Sequence, residues 1–257
     1  MNRHFDLTRF GRLFRKHTIE HLTGSLLAVG VLLGGLAAVL GFVAYLSSNA
    51  PFNASLQGTL FTMGLVATGI FYTSTVFAPF GDKRQATAAL TLPASHLEKY
   101  LVGWLFALPF FVAVYVGCFY LIDALVIGLD DWAGARPALV PLFSNDSRLY
   151  ASLGLYAVLN GLFLAGSIFF TRLHFVKTAF AVMLTLVVLA LLSYKLAQGI
   201  VGPEVQSAAP FSLVVFKNGM YTLELPPVQQ QWLLLLPLGL ALLGWAAAYA
   251  RLTEKEV

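Results

Sequence analysis

Charged side chains are scarce in this chain. Asp, Glu, Lys and Arg together make up 11% of its 257 residues, whereas 58% of the residues are hydrophobic. Several stretches run for about 20 residues with almost no formal charge, and apolar runs of that length span a bilayer as helices. A soluble domain of this size cannot expose so much apolar surface. The sequence therefore predicts a polytopic membrane protein.

Other features that carry chemistry are missing as well. The single cysteine, Cys118, excludes an internal disulfide and offers no metal cluster, so we expect a buried packing residue. No G-x-x-x-x-G-K-S/T phosphate loop occurs, so the chain is not expected to bind ATP in the P-loop manner. The five histidines lack ligand spacing, and no paired catalytic residues share a depth in the apolar runs. We therefore expect no catalytic, cofactor-binding or metal site in this chain.

Six apolar runs predict six transmembrane helices in an all-α membrane protein. Each run is close to the ~20 residues that a ~30 Å hydrocarbon core requires. Each is also unbroken, whereas the strands of a membrane barrel would alternate polar and apolar residues. The predicted spans are 24–46, 56–77, 100–127, 149–170, 175–194 and 231–251. The chain is predicted to be a single transmembrane domain, 1–257, with a cytoplasmic segment 1–22, six spans within 23–251 and a cytoplasmic tail 252–257.

The basic residues set the orientation of these spans. Most of the 16 Lys and Arg residues fall on one side of the predicted layout. Positively charged residues remain on the cytoplasmic side, so both termini are predicted to be cytoplasmic. The basic residues are spread over short segments that flank spans, which argues against a nucleic-acid site.

The segment before the first span has the pattern of a short basic amphipathic helix. Its apolar face is formed by Phe10, Leu13 and Phe14, and Arg9, Arg12 and Arg15 fall largely elsewhere. Such a helix would lie in the headgroup region with its aromatic face towards the lipid, and Asp6 or Thr8 could cap its start. Two interpretations remain open: a simple surface anchor, or an elbow helix that contacts a cytoplasmic partner.

The segment that follows the second span is the most distinctive cytoplasmic stretch. It reads FGDKRQATAALTLPASHLEKYLVGW, beginning at Phe80. A short helix is predicted to end at Pro93, because proline lacks an N–H and disfavours a helical residue before it. Ser95 and Glu98 form a predicted capping box for the third span. A short cytoplasmic helix between two spans suits the docking of a soluble partner, although a helix stop followed by a cap explains the same pattern.

Taken together, these segments resemble a known family. The basic start FDLTRFGRLFRK, the exit FGDKRQATAALTLPASHLEKYLVGWL, the later exit FLAGSIFFTRLHFVKTAF and the six-span layout are similar to the permease subunit of ABC exporters of the ABC-2 (type-2) class. The similarity is strongest to short permeases common in Bacteroidota. It implies a permease half in the bacterial inner membrane that pairs with an identical or different second half. It further implies a lipid-like or amphipathic substrate, and ATP and Mg bound by a separate ATPase subunit.

The resemblance also implies roles for particular residues. The loop between spans two and three would hold a coupling helix that sits in a cleft of the ATPase, and the basic start would be a connecting helix beside it. Polar contacts with the ATPase would come from Asp82, Lys83, Arg84 and Gln85. The remaining coupling positions would be Phe80, Leu90, Leu92, Pro93 and Ser95.

Four polar residues in the predicted spans are candidates for a translocation path: Thr62, Thr68, Asp123 and Asn160. Each has a plainer alternative. Hydroxyl residues permit close helix packing, and Asn160 is expected to bond a neighbouring helix rather than a substrate. Asp123 is expected to lie at the wet interface near Asp130 and Asp131. Prolines 109 and 237 are expected to kink their helices.

Outside the membrane, the stretch FSLVVFKNGMYTLEL predicts a small hairpin that turns at Lys217-Asn218-Gly219. A rival interpretation of the whole chain is a membrane scaffold or assembly subunit without transport of its own, in which the loop around Pro93 docks a different cytoplasmic protein.

Overall fold

Six long helices and one pair of short strands make up the described part of the protein. The computed structural model describes residues 5–46, 53–76, 94–129, 137–142, 149–170, 173–202, 205–208, 214–216 and 227–254. The elements are α1 (Leu7–Leu46), α2 (Ala54–Val76), α3 (His96–Leu129), α4 (Leu149–Phe169), α5 (His174–Val201), β1 (Val205–Ala208), β2 (Val214–Phe216) and α6 (Pro227–Glu254). The described chain is thus predominantly helical, as the sequence predicts.

Five helices are long and apolar enough to cross a membrane: Leu7–Leu46, Ala54–Val76, His96–Leu129, Leu149–Phe169 and Phe175–Ile200. They contain three of the first five predicted spans completely, and the other two, 56–77 and 149–170, extend one residue beyond their helices. The sixth predicted span, 231–251, falls inside α6, which has 28 residues but is not one of these five. The length and composition of the five helices are those of a multi-pass membrane protein.

The first helix differs from the prediction, because the basic segment and the first span form one continuous helix of 40 residues. The stretch TIEHLTG between them contains no proline. Its single glycine, Gly24, costs about 1 kcal/mol in a helix interior, whereas a break would leave two new sets of unpaired backbone groups. At 1.5 Å per residue, α1 is about 60 Å long, twice the ~30 Å hydrocarbon thickness. Its basic start therefore extends beyond the apolar part of the helix.

The third helix is interrupted by a π-helical turn. It is α-helical over His96–Leu105, π-helical over Phe106–Phe110 and α-helical again over Phe111–Leu129. Pro109 lies within the π turn. Proline has no N–H to donate, so the regular hydrogen-bond ladder cannot continue through it. The kink predicted at Pro109 thus takes the form of a π-helical turn. Pro237 lies inside α6, and the helix continues on both sides of this proline.

The strand pair only partly matches the predicted hairpin. Strands β1 and β2 are antiparallel, with Val205 opposite Phe216 and Ala208 opposite Val214. Strand β2 lies in the first arm of the predicted hairpin, 211–216, but it pairs with residues that precede it in the chain. The predicted turn at Lys217-Asn218-Gly219 lies outside the described residues.

Two buried clusters lie towards the two ends of the helix bundle. One end has a buried cluster to which α2, α3, α4 and α6 contribute; its members include Tyr100, Ala107, Ile168, Ala248 and Leu252, with Val76 packed against them. Because the start of α1 and Arg251 also lie there, we call this the basic end. A second buried cluster lies towards the other end, which we call the opposite end, and includes Leu40, Phe61, Phe119, Ile122, Val140 and Leu149.

Helices α4 and α6 touch along their backbones. A Cβ atom added to Gly161 would lie 2.9 Å from the carbonyl oxygen of Ala241. A Cβ atom added to Gly244 would lie 2.8 Å from the carbonyl carbon of Gly161. Such close approach of small residues is the usual way in which helices associate in lipid, where the hydrophobic effect does not drive them together.

Candidate functional site

Most of the predicted coupling residues lie outside the described part of the chain. These are Phe80, Asp82, Lys83, Arg84, Gln85, Leu90, Leu92 and Pro93, whereas Ser95 is described. The residues on either side of the 77–93 segment are described. Val76 packs against the buried cluster of the basic end, and the side chains of Ala94 and Ser95 are buried. The chain therefore packs against the bundle immediately before and immediately after this segment.

The predicted capping box at the start of α3 is confirmed. The backbone N–H of Glu98 donates to Oγ of Ser95 at 3.2 Å, and the backbone N–H of Ser95 donates to Oε2 of Glu98 at 2.9 Å. Each residue thereby satisfies a backbone donor that the helix start would otherwise leave unpaired. The box sets the direction in which the chain enters α3.

Glu98 has a second role that the sequence did not reveal. Its other carboxylate oxygen, Oε1, accepts a hydrogen bond from the backbone N–H of Asp6 at 2.9 Å and one from Nη2 of Arg9 at 3.3 Å. The Glu98 side chain is fully buried. A single buried carboxylate therefore connects the start of α1 to the start of α3. We call Asp6, Arg9, Ser95 and Glu98 the Glu98 anchor.

The start of α1 is capped by Asp6, one of the two predicted candidates. The backbone N–H of Thr8 donates to Oδ1 of Asp6 at 2.8 Å, and the backbone N–H of Phe10 donates to the Asp6 carbonyl oxygen at 2.9 Å. The hydrogen bond from Thr8, with help from the nearby charge of Arg9, holds the pKa of Asp6 below its usual value. The carboxylate is thus ionised at neutral pH and stabilises the helix start.

The aromatic face of α1 packs on protein, not on lipid headgroups as predicted. The Phe14 ring stacks on Phe106 with 5.3 Å between the centroids and lies 5.7 Å from Phe110, both in the π turn of α3. Phe10 continues the row, 6.4 Å from Phe14. The side chains of Arg12 and Arg15 are exposed, and Leu13 is half-buried. Whether such a face meets lipid or another helix depends on tertiary packing, which a single sequence does not reveal.

A polar network joins four helices beneath the basic end. The hydroxyl of Tyr156 donates to the Ala107 carbonyl oxygen at 2.6 Å, and Nδ2 of Asn160 donates to the same oxygen at 3.1 Å. Nδ2 of Asn160 also donates to Oγ1 of Thr73 at 3.0 Å, and Nε1 of Trp245 donates to Oδ1 of Asn160 at 3.0 Å. The predicted interhelical bonding of Asn160 is therefore present, and the Asn160 side chain is fully buried.

The π turn explains why the Ala107 carbonyl oxygen can accept these bonds. In a regular α-helix it would accept the backbone N–H of Phe111. Here the N–H of Phe111 points instead to the carbonyl oxygens of Leu108 and Phe106. The freed carbonyl oxygen needs other donors inside the bundle, and Tyr156 and Asn160 supply them.

The two threonines predicted for a translocation path make packing contacts. Oγ1 of Thr62 donates to the Gly58 carbonyl oxygen at 2.8 Å and lies 2.6 Å from Oγ of Ser152 on α4. Oγ1 of Thr68 donates to the Gly64 carbonyl oxygen at 2.6 Å. Both hydroxyls are thus engaged within the bundle, in agreement with the packing alternative.

Asp123 departs most from the expectation. The interpretation favoured by the sequence, a carboxylate already wet at the interface, is wrong, because the residue is only 1% exposed. Neither carboxylate oxygen has a hydrogen-bond partner among the described residues. The helix continues for six residues beyond Asp123, about 9 Å, which carries this position well inside the end of α3. An ionised carboxylate buried without a partner costs several kcal/mol.

Asp123 continues a row of aromatic residues on one face of α3. Phe111, Tyr115 and Phe119 are spaced four residues apart, with 6.1 Å and 6.2 Å between successive ring centroids. Asp123 follows Phe119 at the same spacing. Phe61 of α2 packs on this row, 5.1 Å from Phe119, and its carbonyl oxygen accepts the Tyr115 hydroxyl at 2.9 Å. The row extends from the polar network below the basic end to the buried carboxyl group.

Cys118 is a free, buried thiol, as predicted. Within the described ranges no group of three or more His, Cys, Asp and Glu side chains comes together in a way that could hold a metal ion. No family model, no curated protein and no solved structure matches the chain.

Proposed function

We propose that this protein is the transmembrane half of an ATP-driven exporter of the ABC-2 class, coupled to a separate nucleotide-binding subunit. In this proposal the sixth span is α6, both termini lie in the cytoplasm of a bacterium, and the basic end faces the ATPase. A second permease half, identical or different, completes the transporter. The substrate is lipid-like or amphipathic, in keeping with an interior that is mainly apolar and aromatic.

The observation that carries the proposal is the Glu98 anchor. A docking loop transmits the movement of a motor protein only if its ends are firmly attached, because a loosely held loop would absorb the displacement. The 77–93 segment leaves α2 at Val76, which packs on a buried cluster, and rejoins α3 at the buried Ser95. The Glu98 carboxylate then ties that point to the start of α1 through Asp6 and Arg9.

The exposed charges at the basic end support the same orientation. Arg12 and Arg15 are exposed on α1, within two turns of Arg9 and hence near the point where the loop rejoins α3. Lys16 is also exposed and forms a 3.6 Å ion pair with Glu20. A basic surface beside a docking loop suits a partner with acidic groups, and long-range attraction would speed its association.

The alternative of a non-transporting scaffold is favoured by a different observation. Three of the four candidate path residues, Thr62, Thr68 and Asn160, already have hydrogen-bond partners inside the bundle. A packed interior of this kind suits a structural subunit. A transporter in a closed state would also engage these groups, so partner identity is the property that separates the two proposals.

The first test is therefore purification of the tagged full-length protein in mild detergent, followed by mass spectrometry of the proteins that accompany it. The exporter proposal expects a P-loop ATPase in stoichiometric amount. Reversing two loop charges, Lys83→Glu with Arg84→Glu, should uncouple ATP hydrolysis from transport while membrane insertion stays normal. The matched control is Arg136→Glu with Arg148→Glu, which reverses two charges predicted to lie on the non-cytoplasmic side of the membrane.

Two results would contradict the exporter proposal. One is recovery of the protein without an ATPase under conditions that keep a reference ABC complex intact; this favours the scaffold. The other is unchanged coupling in the Lys83 and Arg84 variant, which would remove the coupling role of the loop.

A further inference from the structure

We propose that Asp123 is a proton-binding site inside the membrane-spanning bundle, and that the carboxyl group holds its proton while the bundle is packed as in this structure. Two observations point to it: the residue is 1% exposed, and neither carboxylate oxygen has a hydrogen-bond partner among the described residues. A carboxyl group in such surroundings becomes neutral by taking up a proton, unless a cation reaches it. This proposal does not depend on the proposed function.

The elements that pack around this turn of α3 offer no cation. Helix α2 contains no Asp, Glu, His, Lys or Arg, and neither does α1 from residue 22 to its end. The same is true of segment 137–142, whose Val140 is buried in the cluster shared with Ile122. The charged residues of the flanking outer stretches, including Arg136 and Arg148, lie outside the described residues. An arginine that paired with Asp123 would keep its carboxyl group ionised, and the experiment below detects that state.

The titratable hydroxyl groups nearby are committed to other acceptors. Tyr120, one turn before Asp123, donates to the Val140 carbonyl oxygen at 2.6 Å. Tyr115 donates to the Phe61 carbonyl oxygen at 2.9 Å. Of the other titratable side chains on these elements, Cys118 is a buried thiol and Tyr45, near the end of α1, is exposed. Tyr72 of α2 stacks on Phe111, about three turns of α3 away from Asp123. No hydroxyl described in this region donates a hydrogen bond to Asp123, so nothing here favours the ionised form.

Glu98 provides the contrasting case within the same chain. Both carboxyl groups are almost completely buried, but Glu98 accepts bonds from Asp6, Arg9 and Ser95. Three donors, one of them a guanidinium, thus reach the Glu98 carboxylate, whereas no donor among the described residues reaches Asp123. The two buried carboxyl groups therefore lie in opposite surroundings.

Exchange of this proton requires water to reach Asp123. Segment 137–142 packs against the same region of α3, with Val140 only 5% exposed and Gln57 bonded to the Ala138 carbonyl oxygen at 3.3 Å. A displacement of this segment would uncover this turn of α3. The site thus links protonation to the packing of the bundle near its opposite end.

Infrared spectroscopy of the full-length protein in detergent at pH 7 tests the proposal directly. The carbonyl-stretch band of a protonated carboxyl group is well separated from the bands of carboxylates. We expect this band in the wild type, its complete loss in Asp123→Asn, and its retention in the matched control Glu98→Gln. Asparagine resembles the neutral acid in size and charge, so the variant should keep the fold.

Two outcomes would overturn the proposal. Absence of the band in the wild type at pH 7 would mean that the carboxylate is ionised, as it would be if an arginine from the outer stretches paired with it. Persistence of the whole band in Asp123→Asn would place the proton elsewhere. Should that variant fail to fold, carboxyl-¹³C-aspartate labelling of the wild type replaces it: the band must shift with the label, and an unshifted band refutes the assignment.

Discussion

Arg9 and Glu98 are 89 positions apart in the chain, yet Nη2 of Arg9 lies 3.3 Å from Oε1 of Glu98. The glutamate is fully buried, and the arginine side chain is 29% exposed. This pair holds the start of the longest helix against the point where the 77–93 segment rejoins the bundle. Several expected properties of the protein follow from this attachment and from the contacts around it.

Loss of the Glu98 carboxylate should destabilise the protein strongly. Replacement by alanine removes the acceptor of three hydrogen bonds. Each backbone N–H that is left buried without an acceptor costs about 1–3 kcal/mol. We expect Glu98→Ala to lower the midpoint of thermal unfolding in detergent by several degrees. The control is Glu20→Ala, which breaks the exposed i,i+4 pair with Lys16 and should change stability by less than about 1 kcal/mol. Equal shifts in the two variants would show that the Glu98 anchor contributes little.

The cap at Asp6 should make the stability of α1 depend on pH in the acidic range. Because the pKa of Asp6 is lowered from 3.8 by the Thr8 N–H, its carboxylate stabilises the folded state above that pH, and the contribution is lost as pH falls through the lowered pKa. Asparagine also caps helices but does not ionise. We therefore expect the difference in unfolding midpoint between wild type and Asp6→Asn to be constant near neutrality and to shrink below about pH 4. A difference that grows on acidification would contradict this assignment.

Local patterns predicted much of the architecture. The apolar runs located the helices, because every residue of a membrane span lies in an apolar environment. Ser95 and Glu98 predicted a capping box, because its two partners are only three residues apart. The partners of long-range contacts were not predictable in this way. Nothing in the residues around Glu98 specifies Arg9, and the aromatic face of α1 is equally compatible with lipid and with α3.

The polar residues inside the bundle illustrate the same limit. The disturbance at Pro109 follows from the missing N–H, but the residues that bond the freed Ala107 carbonyl oxygen depend on how α4 packs. Asp123 was expected at a wet interface because acidic residues follow it in the sequence. Its burial depends on neighbouring segments that pack over this turn, which a single sequence does not determine.

The backbone contact between α4 and α6 should be sensitive to a single methyl group. Gly244→Ala places a Cβ atom 2.8 Å from the carbonyl carbon of Gly161, so the two helices must separate. Such overpacking costs about 1–3 kcal/mol. The matched control in the same helix is Gly239→Ala, where nothing lies within 4 Å of the added atom. Thermal unfolding should show a clear loss for Gly244→Ala and none for Gly239→Ala, and equal midpoints for the two variants would mean that the helices do not pack as described.

The hydrogen bond between Trp245 and Asn160 should be measurable as a coupling between α6 and α4. Trp245→Phe removes the Nε1 donor, and Asn160→Ala removes its acceptor together with the bonds to Thr73 and Ala107. Double-mutant cycles on hydrogen bonds within membranes give about 0.6 kcal/mol on average. We therefore expect each single variant to be destabilised and the double variant to be less destabilised than the sum. A double-mutant cycle on the free energy of unfolding gives the coupling directly. Strict additivity would mean that this bond contributes no net stability. In that case, packing alone would hold α6 against the residues of the polar network.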